Sequence, residues 1–174
     1  MVSNRFILRE IRSEDIHYIH KGLSNPAVTQ FYDVHFSTLK DTELQMEWYA
    51  NLKETGTGIW WLIFDIQTGV FVGAGGYNSL EKTHQKAELS FWLLPEFWGK
   101  GIMGEVMPIM INYGFEDLSL NRLEAYVVKG NLKCKSALSK LNFIYEGTMR
   151  ECELKDDHYI SVDFYSMLKK EWIK

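Results

Sequence analysis

Residues 4–12 alternate, with Phe6, Leu8 and Ile11 set against Arg5, Arg9 and Arg12, and this pattern predicts an edge strand. Ser13-Glu14-Asp15-Ile16 then reads as a helix start, with Ser13 as N-cap and early acids on the helix dipole. Ile16, Ile19, His20 and Leu23 supply its buried face. Residues 25–37 form a loop carrying Pro26, Phe31, Tyr32, His35 and Phe36, and a second helix runs from about Thr38 to Lys53. After Gly56-Thr57-Gly58 the period shortens. Ile59 to Phe64 is a strand, Gln67-Thr68-Gly69 a tight turn, and Val70 to Tyr77 the antiparallel partner. A polar connection at 78–85 leads to the strand that carries Glu88, giving three consecutive antiparallel strands.

That last strand is a dense apolar block (Leu89, Phe91, Trp92, Leu93, Leu94), stopped by Pro95. Glycines follow at 99, 101 and 104, and from Ile102 apolar residues recur at helical spacing through Met103, Val106, Met107, Met110 and Tyr113. The helix is expected over about 102–117, kinked by Pro108 near its first turn. A strand, a glycine-bearing turn and a helix N-terminus together suit phosphate, because unpaired N–H groups and the dipole attract negative charge. The same residues also fit a plain strand-to-helix turn. No Gly-x-x-x-x-Gly-Lys-Ser/Thr occurs. The Gly-x-Gly-x-x-Gly spacing lies late in the chain, and Glu124 sits mid-strand rather than in the dinucleotide-binding register.

Arg122 to Val128 is the next strand, reached through a helix and so able to lie parallel to the Glu88 strand. Asn131 is the expected N-cap of a helix ending near Leu141, with Asn142 as a left-handed C-cap. Phe143 to Glu151 and Tyr159 to Leu168 close the chain as a hairpin over Lys155-Asp156-Asp157. With no repeat, linker or low-complexity segment, residues 1–174 are expected to form one mixed α/β domain.

Composition narrows the function classes. At 46% hydrophobic and 14% aromatic, with six Trp and ten Phe, the chain has the large side chains of an ordered core. A net charge of −4 argues against a general nucleic-acid binder. The two cysteines, Cys134 and Cys152, lack metal-ligand spacing, so no metal is expected. The amino end has no apolar signal core and no run reaches membrane-spanning length, which makes a reduced cytoplasmic protein the expectation.

The element order is strand, two helices, three strands, helix, strand, helix, two strands. It resembles the GNAT acyl-CoA-dependent N-acetyltransferases, and within them the RimJ/RimL branch of ribosomal-protein N-acetyltransferases. Four stretches carry the resemblance: Arg5 to Arg9; Asn25-Pro26; Ala87 to Gly101; and Asn131 with Cys134, Leu138, Lys140-Leu141 and Phe143. The family's cofactor loop reads Gln/Arg-x-x-Gly-x-Gly/Ala. Here Gly101 matches, while Trp98 and Met103 depart at the first and last positions. Cys134 stands where the family typically has serine, and Asn142 where it has glycine.

The resemblance implies acetyl-CoA as cosubstrate and a fold whose mostly antiparallel sheet contains a splayed parallel pair. Backbone amides of Gly99, Lys100, Gly101, Ile102, Met103 and Gly104, next to Trp98, are expected to cradle the pyrophosphate. Lys100, Lys133 and Lys135 would add positive charge. Backbone groups of Trp92, Leu93 and Leu94 would bond the pantetheine arm, with Asn131 bonding its amides, capping its own helix, or both. Glu88 is the expected base, acting through a water, with burial beside Phe91 and Trp92 to raise its basicity; it also reads as an ordinary strand carboxylate. Cys134 has three open roles: core filler or cofactor contact, proton donor to the leaving thiolate, or covalent nucleophile. Phe31, Tyr32 and His35 are expected to line the acceptor groove. The acceptor would be a protein α-amine, a polyamine or an amine antibiotic. A non-catalytic acyl-CoA-binding module is the alternative, and a homodimer is left open.

Overall fold

The computed structural model describes residues 1–172. The elements are β1 (Phe6–Glu10), α1 (Ile16–Leu23), α2 (Pro26–Thr29), α3 (Leu39–Thr55), β2 (Ile59–Asp65), β3 (Phe71–Glu81) and β4 (Lys86–Leu93). They continue as α4 (Ile102–Asn112), β5 (Arg122–Val128), α5 (Leu132–Lys140), β6 (Ile144–Lys155) and β7 (His158–Leu168). The strands make one seven-stranded sheet in the order β1-β2-β3-β4-β5-β7-β6. Every neighbouring pair is antiparallel except β4–β5, which is parallel because α4 carries the chain back across the sheet. The mixed α/β architecture with one parallel pair is the one expected, and β1 is an edge strand.

Helix ends follow local chemistry. Thr38 caps α3 by accepting the Asp41 N–H at 3.1 Å, and Gly56 closes it in the left-handed region at φ 66°. Asn142 likewise takes φ 64° after α5, as its sequence position predicts.

Three local features depart from the sequence reading. Ser13 does not cap α1. Residues Ser13–Asp15 form a 3-10 turn, in which the nearly buried Asp15 carboxylate accepts the Arg12 N–H at 2.8 Å and two Arg9 bonds at 2.9 and 2.7 Å. Only the residue two places further along can meet both arginines. The second departure is α2, a single turn inside the stretch read as loop. Asn25 accepts the Ala27 N–H at 2.9 Å and Pro26 occupies the first helical position, where its missing N–H costs nothing. Third, α4 ends at Asn112 and continues as a π turn over Tyr113–Asp117. The buried Tyr77 hydroxyl donates to the Met110 carbonyl and presses on Gly114, whose missing Cβ would lie 2.7 Å from it. A side chain wedged into the ladder widens the turn. Pro108 lies within α4.

The sheet separates two apolar layers. On one side α4 and α5 bury Ile102, Val106, Met107, Met110 and Leu138 against Leu89, Leu93 and Leu123. On the other, α1 to α3 bury Ile19, Leu23 and Tyr49 against Trp60, Leu62, Trp92 and Leu94. Trp92 lies so close to Gly22 of α1 that a Cβ there would sit 2.1 Å from its ring.

The feature that positions the site is where the parallel pair stops. β4 and β5 share three residue pairs, Lys86↔Arg122, Ala87↔Leu123 and Glu88↔Glu124. Beyond these, β4 stays with β3 as far as Leu93 and β5 stays with β7 as far as Val128. Each strand follows its outer partner, and a gap opens between them from Glu88 onward.

Candidate active site

The gap widens into a cleft of about 590 Å³, within the range of small-molecule sites. Glu88, Phe91, Tyr126, Asn131 and Cys134 all line it, so the splay brings strand, loop and α5 residues together. Leu94 N–H donates to the Val72 carbonyl at 2.9 Å, which turns Leu94 and, by alternation, Trp92 toward β3. Phe91 and Leu93 therefore direct their backbone N–H groups into the gap. Of the expected arm-binding positions Trp92, Leu93 and Leu94, only Leu93 turns its main chain away from β3, and its carbonyl already accepts the Trp98 indole N–H at 2.8 Å. Trp92 contributes a buried indole to the cleft wall instead.

Glu88 sits at the last shared pair of β4 and β5, half-buried, where the gap begins. It ends a polar relay. The Trp60 indole donates to Asn78 at 2.7 Å, Asn78 donates to Ser90 at 3.3 Å, and Ser90 donates to Glu88 at 2.9 Å. Ser90 is two residues from Glu88 and so shares its face of the strand, whereas Phe91 lies on the other. The relay was missed in the sequence, though a period-two reading from Glu88 would have found Ser90.

Cys134 lies in the first turn of α5, whose N-cap Asn131 accepts the Cys134 N–H at 3.1 Å. Burial pushes the thiol up to about 12, so at neutral pH it is a thiol and a poor nucleophile. Asn131 is the cap it was expected to be, and it also faces the cleft.

The glycine turn lies past the end of β4, outside the cleft lining. Gly99 and Gly101 occupy the left-handed region at φ 73° and 72°, and a Cβ on Gly99, Gly101 or Gly104 would meet nothing within 4 Å. Gly101 is the N-cap of α4 and brings no side-chain cap, leaving the first amides of Ile102, Met103 and Gly104 to an external acceptor. The Ile102 side chain is buried and that of Met103 half-buried, so these residues offer main chain only. Lys133 lies 4.3 Å from the centroid of the Trp98 ring and Lys100 5.3 Å from that of Phe97, which places both cations at this turn. Lys135 is a correction. Its ammonium is paired with Asp163 on β7 and does not stand free for a phosphate.

Tyr32 and Phe31 line the cleft. The Tyr32 hydroxyl donates to the Phe91 carbonyl, and burial holds its acidity well below that of free tyrosine. Lys155, the last residue of β6, ties this loop down by donating to the Thr29 carbonyl at 2.9 Å and to the Tyr32 carbonyl. His35 is corrected: it is exposed, bonds Thr29 at 3.1 Å and is not among the cleft-lining residues. The residues that do line it include three carboxylates, Asp33, Glu88 and Glu153, with no lysine or arginine. Partial burial and the nearby Asp33 and Glu88 raise the Glu153 carboxyl above its ordinary value. Asp33 and Glu153 come from distant parts of the chain, and nothing local in the sequence pairs them.

The Acetyltransferase (GNAT) domain model matches residues 5–144, most of the chain. The chain belongs to the GNAT acetyltransferases. These enzymes use acetyl-CoA as the acyl donor, so the protein is an acetyl-CoA-dependent N-acetyltransferase. It is 29% identical to the uncharacterized N-acetyltransferase YoaA of Bacillus subtilis (strain 168), over 96% of this chain and 95% of that protein. Two solved structures share the fold. One is RimL, a ribosomal L7/L12 α-N-protein acetyltransferase in complex with coenzyme A, with TM-score 0.87, 21% identity and 98% of each chain covered. The other is spermidine N-acetyltransferase from Vibrio cholerae with CoA and spermine, with TM-score 0.85, 20% identity, and 95% of this chain and 96% of that one covered. Among the described residues, no group of three or more His, Cys, Asp or Glu is arranged to hold a metal ion, and no helix is long and apolar enough to cross a membrane.

Proposed function

We propose that this GNAT enzyme moves the acetyl group of acetyl-CoA directly onto a primary amine held in the β4–β5 cleft, with Glu88 as general base. The observation that carries this reading is the position of Glu88, at the last shared pair of the splayed strands and held by the Ser90 hydroxyl. The amine nitrogen attacks the thioester carbon and forms the C–N bond. Its surplus proton passes to Glu88 through a water, and the C–S bond breaks to release CoA thiolate, which then takes up a proton. An α-amine has a pKa near ~7.7–8.0, so a sizeable neutral fraction exists at neutral pH and Glu88 need not be a strong base. The Phe91 or Leu93 N–H polarises the thioester carbonyl in the gap. Amides from Gly99 to Gly104, with Lys100 and Lys133, hold the pyrophosphate.

Cys134 fits a cofactor contact rather than a nucleophile or a ready proton donor, since burial makes its thiol reluctant to give up its proton. The acid-lined, cation-free lining of the cleft supports an amine acceptor, which approaches as an ammonium and is concentrated there by the field. The peptide α-amine named for RimL and the polyamine named for the Vibrio cholerae enzyme both suit that charge.

The test follows CoA-thiol release from acetyl-CoA with peptide α-amines, polyamines and aminoglycosides. Release that rises with an added amine, with no acetylated enzyme detected by intact mass before the amine is added, supports direct transfer. Acetyl-enzyme formed in the absence of amine overturns it, and tight acetyl-CoA binding without release for every amine favours the binding module.

A further inference from the structure

Glu105 stands in the first turn of α4, one residue past Gly104. This is the helix end that the proposed function assigns to the pyrophosphate, and the role inferred for its neighbours rests on that assignment. A carboxylate in a first turn suits the helix dipole while the end is empty, but it opposes an anion bound at the same end. Here the carboxylate is held by the amino-terminal arm. One oxygen accepts the Ser3 hydroxyl at 2.7 Å and the Arg5 backbone N–H at 2.8 Å; the other accepts Arg5 Nε at 2.7 Å. The arm is shaped before it arrives. Ser3 Oγ accepts the Phe6 N–H at 2.9 Å, and the Arg5 guanidinium lies 5.0 Å from the Phe6 ring centroid. Partial burial pushes the Glu105 carboxyl up, but the Ser3 and Arg5 contacts outweigh it and keep the group ionised at neutral pH.

We infer that Ser3 and Arg5 are positioning residues for the cofactor: they neutralise Glu105 and hold it in place, so that the N-terminus of α4 presents net positive field to a pyrophosphate. The contact spans about a hundred residues of sequence, and it ends on the one acid in that turn. A purely structural clasp would affect every ligand alike. A charge shield affects only ligands that carry phosphate.

Calorimetric titrations separate the two, using CoA and the phosphate-free S-acetylpantetheine against wild type, Arg5→Ala, Glu105→Gln and the double variant. Arg5→Ala is expected to weaken CoA about fivefold, the scale of one charge at a helix end, and to leave S-acetylpantetheine unchanged. Glu105→Gln, which needs no arm to neutralise it, should bind CoA at least as tightly as wild type. The double variant should return to within about twofold of Glu105→Gln. Equal weakening of both ligands in Arg5→Ala, or no recovery in the double variant, overturns the inference. If wild type gains nothing from the phosphates of CoA, the pyrophosphate assignment itself fails, and that result is read without any variant. Should Arg5→Ala not fold, Glu105→Gln alone remains decisive: CoA binding weaker than wild type contradicts the shield.

Discussion

Glu88 and Cys134 face the same cleft, and their surroundings divide the chemistry between them. Glu88 receives the Ser90 hydroxyl at 2.9 Å, at the end of a chain that begins on the buried Trp60. A hydrogen bond to a charged group is worth ~1.5–3 kcal/mol, so Ser90→Ala should lower kcat by roughly tenfold or more with little change in KM for acetyl-CoA. Steady-state kinetics checks this, and an effect confined to KM would show that the relay serves binding alone. Cys134 is held as a thiol by burial, whereas Cys152 on β6 is exposed. Iodoacetamide followed by peptide mass mapping at neutral pH should therefore label Cys152 first and leave Cys134 largely unmodified. Rapid loss of Cys134 would contradict its assignment as an un-ionised thiol.

Elements are fixed by a few contacts that set their angles and ends. Gly22 lets α1 lie directly against the Trp92 indole. Because Trp92 is itself only 4% exposed, the ring has no room to yield. Gly22→Ala should cost about 2–3 kcal/mol as overpacking, read as a lower urea midpoint at unchanged m. Asp15 ties the end of β1 to the start of α1. Burial alone would raise its carboxyl, but the two Arg9 bonds and the Arg12 N–H bring it below its ordinary value. A carboxyl depressed in the folded state contributes stability above the unfolded value, near ~3.9, and that contribution is lost as pH falls through the folded value. Asp15→Asn should therefore be roughly 2 kcal/mol less stable at pH 7, discounted for the partial exposure of Arg9, and this gap should begin to close only as pH falls below about 4, vanishing once the pH is below the depressed folded value. A constant gap across that range would contradict the ion-pair account.

These elements also mark what was legible in the sequence. Strand alternation, the cap at Asn131 and the left-handed Asn142 were readable because each depends on residues within a few positions. Asp15 displaced Ser13 as the organiser of α1 because Arg9, on the preceding strand, reaches it. The π turn after α4 was unreadable because its cause, the Tyr77 hydroxyl, comes from β3.

At the scale of the molecule, function follows from two strands keeping their outer partners and parting in the middle. The splay was expected from the family resemblance, and the register places it at Glu88↔Glu124. What sequence could not supply were the meetings between distant segments. Lys155 pins the aromatic loop, Asp33 and Glu153 share a cleft with Glu88, and Lys135 is spent on Asp163 rather than on phosphate. Each joins side chains whose separation along the chain carries no periodic signal.

The most direct measurement is acceptor-dependent CoA-thiol release by Glu88→Gln beside wild type, on the best amine found, with acetyl-CoA affinity measured on both. The account predicts a fall in kcat of at least ~10²-fold, the usual scale of a lost general base, with acetyl-CoA binding unchanged. Turnover by Glu88→Gln within a few-fold of wild type would contradict it and leave the splayed cleft without its base.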